Sequence, residues 1–293
     1  MPGPPAALAR AAGRRSEAPF LFFQRGWDWR WLGFRDARRQ VGGAAALLAH
    51  LSSGARVAFP SVAGAGGAAA ILVDLAIQAA GLVAVPLAMR AGESGLAQTL
   101  AAAGAEAFVA PPGFAPGLGL PAIDLPDLAA LDGEVPDRAG SIAVAAGSDP
   151  GDLRVVPAAE LDAASSAVTA LLARPAKREI AVVGLPSQAP AERAFLAWGE
   201  ITGAALVLEP WAVHRVATAS WARPTVHCGP AAELAALLAK AGGSRRGRKP
   251  PFGRLHTVFC SEPGALGPGE IEAWARLGVA AVPLPALPRR SAP

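Results

Sequence analysis

Two short apolar runs frame the most regular part of the chain, between residues 56 and 88. Residues 57–59 form the first run and residues 82–85 the second, and each is closed by a proline. Apolar runs of this length, bounded by proline, are typical of buried strands. The pattern therefore predicts two strands of a sheet core, separated by about 20 residues.

A helix is predicted between these strands, over residues 68–80. The polar residues in this stretch are Asp74 and Gln78, which lie four positions apart and so share one helix face. Gly81 follows at the position that favours a C-terminal cap. A strand–helix–strand unit of this length places its strands parallel in one sheet. A helix with so few polar positions is expected to be covered on most sides.

The segment before this unit is aromatic. Residues 20–23 predict one strand, the alternating tryptophans at 27, 29 and 31 predict a second, and a turn is expected at Arg25–Gly26. Such a stripe can stack on nucleic acid, but no regularly spaced basic residues accompany it, which favours a sheet packed on the core. Apolar residues at helical spacing predict a helix over residues 34–51.

The remaining chain alternates between strand-like and helix-like segments, joined by turns rich in proline and glycine. The predicted strands are 105–110, 142–145, 155–156, 180–185, 205–208, 224–230 with its turn, 255–260 and 279–282. The predicted helices are 92–103, 158–172, 191–202, 231–241 and 270–277. Residues 111–138 are expected to form a linker. The predicted organisation is a flexible arm at 1–19, a first α/β subdomain at 20–132 and a second at 133–293.

Composition and charge narrow the functional classes. The chain of 293 residues is 52% hydrophobic and 17% charged, which excludes a disordered protein, and its net charge of +4 comes from scattered arginines. The basic stretch at 244–254 is expected to be a solvated loop, with binding of phosphate or an acidic partner as the alternative. The apolar run 64–88 contains Asp74, so a core helix and strand explain it better than a membrane span. We expect a soluble, cytoplasmic protein with no nucleic acid or membrane partner.

The side chains that usually carry chemistry show no catalytic or metal-binding spacing. Cys228 and Cys260 lack a CxxC pattern, which suits a reducing compartment, and the four histidines are far apart in the sequence. Ser148, Ser187 and Ser261 lack the G-x-S-x-G pattern of a nucleophile. No catalytic residue and no metal ligand is therefore assigned.

The stretch 141–161 combines a strand, a glycine-containing turn, a second strand and the start of a helix. Glycine-rich turns let backbone N–H groups approach phosphate, and hydroxyl and basic side chains assist them. This stretch, together with "AGLVAVPL" at 80–87 and "ITGAALVLEP" at 201–210, resembles the adenylate-forming (AMP-binding) ligases, including acyl-CoA synthetases. The resemblance follows the family's element order over residues 20–285.

The resemblance implies an α/β fold of two subdomains, with mostly parallel sheets flanked by helices, like the N-terminal domain of those ligases. It also implies ATP or AMP with Mg²⁺ as cofactors and a carboxylate or acyl group as substrate. The residues that match the family's nucleotide-binding positions are Gly147, Ser148, Gly151, Arg154, Glu262 and Pro263.

Several departures from the family pattern weaken the predicted site. Pro150 is an extra residue in the loop, and Asp149 and Asp152 place negative charge where phosphate would bind. Residues 283–288 replace the family's "Y-G-x-T-E", and no stretch matches the C-terminal subdomain that carries the catalytic lysine. We therefore expect a degenerate ligase-like protein with weak or lost nucleotide binding and weak or no activity. The alternative is a non-catalytic binding or partner subunit built on the same fold.

Overall fold

The structure is a computed structural model. It describes residues 3–25, 28–61, 66–88, 96–110, 120–124, 127–136, 138, 140–145, 153–184, 186–209, 212–242, 253–262 and 264–285. Its helices are α1 Pro4–Arg14, α2 Phe34–Leu48, α3 Gly66–Ala79, α4 Leu96–Ala102, α5 Ala158–Ala170, α6 Pro190–Thr202, α7 Ala212–Ala222, α8 Ala231–Gly242 and α9 Pro268–Arg276. A 3₁₀ turn spans Leu128–Ala130.

The strands alternate with the helices along most of the chain. They are β1 Pro19–Arg25, β2 Asp28–Gly33, β3 Arg56–Ser61, β4 Val83–Ala88, β5 Ala107–Ala110, β6 Ala122–Asp124, β7 Ser141–Ala145, β8 Leu153–Pro157, β9 Ile180–Val183, β10 Ala205–Leu208, β11 Val226–Gly229, β12 Thr257–Cys260 and β13 Ala280–Pro283. Within the described residues they form a six-stranded sheet, in the order β6-β5-β3-β4-β7-β8, and a seven-stranded sheet, in the order β13-β12-β11-β9-β10-β1-β2.

The predicted strand–helix–strand unit lies at the centre of the six-stranded sheet. β3 and β4 pair in parallel, with Val57 opposite Ala84, and α3 connects them. Both polar residues of α3, Asp74 and Gln78, are buried. Gly81 has a φ of +81°, where a side chain would be strained. The prediction of parallel neighbours with a well-covered helix is confirmed.

Most of the pairing in both sheets is parallel, as predicted for the fold class. The antiparallel pairs are β1 with β2 and β7 with β8, each formed by consecutive strands. One apolar cluster contains residues from both sheets and from α2, α3, α5 and α6. The core therefore joins the two sheets through the helices packed against them.

The sheets do not divide the chain at the boundary predicted between residues 132 and 133. β1 pairs in parallel with β10, so the first strands belong to the sheet of the C-terminal half. β7 pairs with β4, so residues after the boundary complete the sheet of the N-terminal half. Each sheet is thus built from both predicted segments.

The flexible arm predicted for residues 1–19 is wrong over its described part. Pro4–Arg14 forms α1, with Leu8 and Ala11 buried against a core that includes α2 and α6. Proline in the first turn of a helix is tolerated because its missing N–H has no partner there. Pro4 and Pro5 therefore begin this helix.

Two further elements were not predicted. β6 lies within the expected linker and pairs in parallel with β5, and α7 occupies a stretch that the sequence analysis left without an element. The predicted helix at 92–103 is observed as α4 from Leu96, since residues 89–95 lie outside the described residues. No helix in the described part of the chain is long and apolar enough to cross a membrane.

The aromatic hairpin formed by β1 and β2 packs on the core only in part. Phe20 is fully buried, but Trp31 is 55% exposed. Trp29 contacts Trp221 of α7 edge to face, with ring centroids 4.4 Å apart. The prediction of a stripe packed on the core holds for β1, whereas β2 is an edge strand with one exposed tryptophan.

Candidate functional site

The predicted phosphate loop connects the antiparallel strands β7 and β8. Gly147, Ser148 and Gly151, as well as Asp149 and Asp152, lie outside the described residues. The strands on both sides of the loop are described, and Val144 pairs with Arg154 one step from the loop. Arg154 is therefore the second residue of β8, and its assignment to phosphate binding stays a prediction.

The guanidinium of Arg154 forms an ion pair with the carboxylate of Glu160, in the first turn of α5. The side chains are 19% and 20% exposed, so the pair is largely shielded from water. A carboxylate in contact with a cation cancels much of the field that would attract a phosphate. The sequence analysis assigned Arg154 to phosphate binding but did not predict this partner.

Glu262 directly follows the seven-stranded sheet at the end of β12. Its carboxylate accepts a hydrogen bond from the backbone N–H of Ala231, 3.0 Å away, at the start of α8. A negative charge at a helix N-terminus is favourable because the first N–H groups lack partners. Glu262 thus stabilises α8, while Pro263 lies outside the described residues. Arg154 and Glu262 belong to different sheets.

A small cavity opens at the carboxyl ends of β9, β11 and β12. In parallel sheets this edge is where ligands usually bind, because the loops after the strands surround it. The cavity is lined by Val182, Val183, Gly184, Glu192, Phe195, Leu196, Arg215, Cys228, Gly229 and Ser261. The cavity has a volume of about 20 Å³, which is room for one or two water molecules.

The charged side chains of the cavity come from helices that follow the strands. Glu192 lies in the first turn of α6, half-buried, and accepts a hydrogen bond of 2.7 Å from the hydroxyl of Ser187. Among the described residues, no basic side chain lies within ion-pair distance of Glu192. Arg215 enters from α7 and donates through Nε to the backbone oxygen of Glu209 at 3.3 Å.

Arg215, which lines the cavity, forms with His227 and Glu233 a group that we call the cavity cluster. Nε2 of the fully buried His227 lies 2.6 Å from Oε1 of Glu233, and Nη1 of Arg215 lies 3.6 Å from Oε2. A Cβ on Gly229 would come within 2.9 Å of the Glu233 carboxyl group, so glycine leaves room for that side chain.

Cys228 lines the same cavity. Burial raises the pKa of its thiol well above the ordinary value, and the nearby Glu192 carboxylate raises this pKa further. A thiol, unlike a thiolate, is a poor nucleophile and a poor metal ligand. Cys228 therefore contributes an apolar wall and no covalent chemistry at neutral pH.

A second buried set of charges, which we call the core cluster, contains Asp74 of α3 and Arg193 and Glu200 of α6. Arg193 binds Asp74 through two hydrogen bonds of 2.7 and 2.9 Å, and both side chains are almost completely buried. Burial raises the pKa of Glu200 well above its ordinary value, and the Asp74 carboxylate raises it further while Arg193 opposes the shift. This cluster joins the helices of the two sheets and borders no cavity among those described.

A Glu–His–Thr arrangement lies at the opposite, amino ends of the strands. Nε2 of His256 lies 3.2 Å from Oε2 of Glu179, and Thr225 donates to the same carboxylate. The hydroxyl of Thr225 also accepts from the backbone N–H of Ile180 at 2.8 Å. These contacts fix the start of β9 to its neighbours, which is a structural role.

The described residues do not by themselves fit a complex of nucleotide and metal. They contain no group of three or more histidine, cysteine, aspartate or glutamate side chains that could hold a metal ion. The predicted phosphate-binding cation Arg154 is already paired with Glu160. No step through Mg²⁺ or ATP is therefore derived.

Sequence reasoning missed the residues that surround the cavity. Ser187 was noted as a loop serine, but Glu192 and Arg215 drew no attention because neither belongs to a recognised motif. The available signal was positional: both follow the ends of predicted parallel strands, where side chains converge. Using that signal requires the strand order, which brings β9, β11 and β12 side by side.

Known proteins share this architecture. The N-terminal domain of FACL13 from Mycobacterium tuberculosis superposes with a TM-score of 0.73 at 14% identity, over 96% of this chain and 75% of that one. O-succinylbenzoate coenzyme A synthetase (MenE) from Bacillus subtilis, in complex with AMP, gives 0.69 at 15% identity, over 96% and 72%. The NpsA N-terminal subdomain from Klebsiella oxytoca, in complex with 3-hydroxyanthranilyl-AMSN, gives 0.72 at 16%, over 96% and 71%.

No curated protein sequence is similar enough to this chain to count as a match. At identities this low the structural similarity demonstrates the fold alone. The sequence profile of the AMP-binding enzyme family, however, matches residues 8–187, which is more than half of the chain. The resemblance found in the sequence is confirmed, and the chain belongs to the AMP-binding enzyme family.

Proposed function

We propose that this protein is a degenerate adenylate-forming ligase. Its nucleotide binding and adenylation activity are weak or lost. The observation that carries the proposal is the ion pair between Arg154 and Glu160, because it neutralises the cation expected to meet the phosphates. Asp149 and Asp152 in the adjoining loop add further repulsion of phosphate.

The balance of charged residues in and beside the predicted phosphate loop favours weak phosphate binding. The loop and its base, residues 146–154, contain Asp149, Asp152 and Arg154, and Glu160 adds a third carboxylate. The sequence thus supplies three carboxylates and one cation here, whereas a triphosphate needs an excess of positive charge or N–H donors.

Titration calorimetry with ATP and Mg²⁺ tests the nucleotide part of the proposal. We expect no binding at micromolar concentrations for the wild-type chain. Glu160→Gln should strengthen any weak binding because it leaves the Arg154 charge uncompensated, and Arg154→Ala should weaken it. Micromolar affinity of the wild-type chain would contradict the proposal.

Carboxylate-dependent pyrophosphate exchange tests the catalytic part. We expect the purified chain to show no exchange above a mock preparation. Exchange above that level, lost in Arg154→Ala, would show that the site is intact and that the charge argument is wrong.

A second candidate function is that of a non-catalytic binding subunit. The observation that favours it is the exposure of two tryptophans, Trp31 on the edge strand β2 and Trp221 on α7, which contacts Trp29 of β2. Tryptophan is enriched in protein interfaces, and an edge strand offers unpaired backbone groups. The basic stretch 244–254, the other surface considered for a partner, lies mostly outside the described residues.

A further inference from the structure

Two arginines lie at the amino edge of the seven-stranded sheet, the edge opposite the cavity. β1, β10 and β9 are parallel neighbours, so the residues that precede them lie at one edge. Arg15 is the C-terminal cap residue of α1, shortly before β1, and Arg178 lies two residues before β9. Both side chains are partly buried. We call these two residues the arginine pair.

The fold holds each guanidinium of the arginine pair in place. Cζ of Arg15 lies 5.4 Å from the centroid of the Phe34 ring, a cation–π contact. Arg15 also lies against the cap of α6, since a Cβ on Gly203 would come within 2.5 Å of its Nη2. Arg178 donates through Nη2 to the backbone oxygen of Pro19, the first residue of β1. Because both side chains are already positioned, a ligand would lose little affinity to ordering them.

The arginine pair has no carboxylate within ion-pair distance in the described part of the chain. Two acidic residues adjoin the pair in the sequence, and both are engaged elsewhere. Oε1 of Glu17 lies 2.7 Å from Nη1 of Arg35. The carboxylate of Glu179 accepts hydrogen bonds from the Thr225 hydroxyl and from the backbone N–H of Ala176. The pair is therefore without a counter-ion among these residues.

The absence of a counter-ion is unfavourable for Arg178. Burial lowers the pKa of its guanidinium, and the positive charge of Arg15 lowers this pKa further. Nε of Arg178 is buried and has no hydrogen-bond partner among the described residues. A partly buried cation that lacks a partner is costly, and an anion held between the two guanidiniums would reduce that cost.

The charge around the arginine pair favours a doubly charged oxyanion. Four exposed basic residues lie in the same two segments of the chain, and their field attracts anions: Arg10, Arg14, Arg174 and Lys177. The planar fork of a guanidinium matches phosphate oxygens through two parallel hydrogen bonds. A phosphate dianion balances both arginines, whereas a simple carboxylate balances one of them.

We propose that Arg15 and Arg178 bind a phosphate group, as inorganic phosphate or as part of a phosphate monoester. The site is separate from the cavity, which lies at the carboxyl ends of the strands, and from the predicted phosphate loop, which belongs to the six-stranded sheet. A phosphate bound here would join α1, the start of β1 and the segment before β9. It would stabilise the folded chain, because a ligand that binds the folded state shifts the folding equilibrium.

Titration calorimetry of the full chain with inorganic phosphate and with acetate tests the class of ligand. Both titrations are made at one pH and at equal ionic strength, so that screening is the same. We expect phosphate to bind at least about tenfold more tightly than acetate, since a further hydrogen bond to a charged group is worth about a factor of ten or more. Equal affinities would overturn the assignment to phosphate.

Substitutions locate the site. Arg15→Gln and Arg178→Gln should each weaken phosphate binding at least about tenfold, because each removes a cation and its paired donors. Arg178→Lys keeps the charge but loses the fork, so its affinity should lie between those of wild type and Arg178→Gln. Arg276→Gln, at an exposed position on α9, is the matched control and should bind as wild type does.

Arg154→Ala separates this site from the predicted phosphate loop. Inorganic phosphate should bind this variant as tightly as wild type, and a loss of binding would place the phosphate at the loop and overturn the proposal. Unchanged affinity in both Arg15→Gln and Arg178→Gln would overturn it as well. The comparison of phosphate with acetate uses the wild-type chain, so it stands even if a variant folds poorly. Failure of the wild-type chain to bind phosphate would overturn the inference outright.

A lipid head group presents the same phosphate chemistry, and vesicles distinguish this source from a soluble one. The chain is sedimented with vesicles of phosphatidic acid and, for comparison, of phosphatidylcholine. We expect no sedimentation with either, because both guanidiniums are partly buried and a flat membrane surface reaches them poorly. Sedimentation with phosphatidic acid that free phosphate and Arg178→Gln both abolish would support the site and identify a lipid as the source of the phosphate.

Discussion

The core cluster and the cavity cluster each place an arginine beside a buried carboxylate, and the arginine of the second, Arg215, lines the cavity at the carboxyl ends of β9, β11 and β12. Arg193 meets Asp74 in a two-point contact of 2.7 and 2.9 Å, whereas Arg215 lies 3.6 Å from Glu233. Close paired hydrogen bonds in a dry interior hold both side chains in one arrangement. The looser pair lies near a water-sized space, so its two side chains are held less tightly.

Helix α6 connects the two environments through consecutive residues. Glu192 lines the cavity and Arg193 belongs to the core cluster. Neighbouring positions on an α-helix point about 100° apart, so one helix can present one charge to a cavity and the next to the core. The difference teaches that the surroundings of each charge decide whether it serves binding or stability.

The largest expected effect is on the free energy of unfolding, when Arg193 and Arg215 are replaced separately. Arg193→Met leaves the buried carboxylates of Asp74 and Glu200 without their cation, which should lower the free energy of unfolding by about 3–5 kcal/mol. Arg215→Met should cost less, about 1–2 kcal/mol, because its partner is more distant and water has access to the cavity. Urea denaturation measures both values, with the exposed Arg276→Met as control. Equal losses in the two variants would remove the distinction between the clusters.

The next largest effect is a dependence of the folding stability on pH that is specific to the core cluster. The pKa of Glu200 is higher in the folded than in the unfolded chain, mainly because of burial. The folded state therefore binds the Glu200 proton more tightly than the unfolded state does. The stabilisation that this proton gives is complete below the pKa of the unfolded chain, about 4.3. That stability is lost as the pH rises through the folded pKa.

Glu200→Gln sharpens this prediction because the amide cannot ionise. The stability of the variant relative to wild type should increase as the pH rises from about 4.3. Urea midpoints measured across this range test the trend, and Glu272→Gln is the exposed control. A constant difference at every pH would show that Glu200 ionises as easily in the folded chain as in the unfolded chain.

The smallest expected effect is on the rate at which Cys228 is alkylated, and measuring it needs no substitution. Because burial and the Glu192 carboxylate raise the pKa of Cys228, its thiolate fraction at pH 8 should be negligible in the folded chain. Alkylation of Cys228 by iodoacetamide, followed by mass spectrometry, should be much slower in the native than in the urea-unfolded chain. Rapid labelling at Cys228 in native conditions would mean that the cavity opens widely to solvent.

The predictions made from the sequence succeeded where the relevant information is local. The β3–α3–β4 unit, its parallel pairing and the buried helix followed from periodicity and capping alone. The flexible arm predicted at 1–19 was wrong over residues 4–14, which form α1. Packing of Leu8 against the core then favoured the helix, and this contact cannot be seen in the local pattern.

The site shows the same division. Motif spacing assigned Arg154 to the phosphate loop, and the structure shows it as the second residue of β8, opposite Val144. It did not predict that Glu160 would pair with that arginine, although the two residues are six positions apart, because the pairing depends on the angle between β8 and α5.

The amino-acid sequence by itself determined the alternation of strands and helices, the family and the polar face of α3. The tertiary structure alone decided that Asp74 meets Arg193, 119 positions away, and that Glu192, Arg215 and Cys228 surround one cavity. The physical reason is the separation along the chain over which each kind of interaction acts. Backbone preference and hydrophobic periodicity act between near neighbours, whereas burial, charge pairing and cavities arise only when distant segments are packed together.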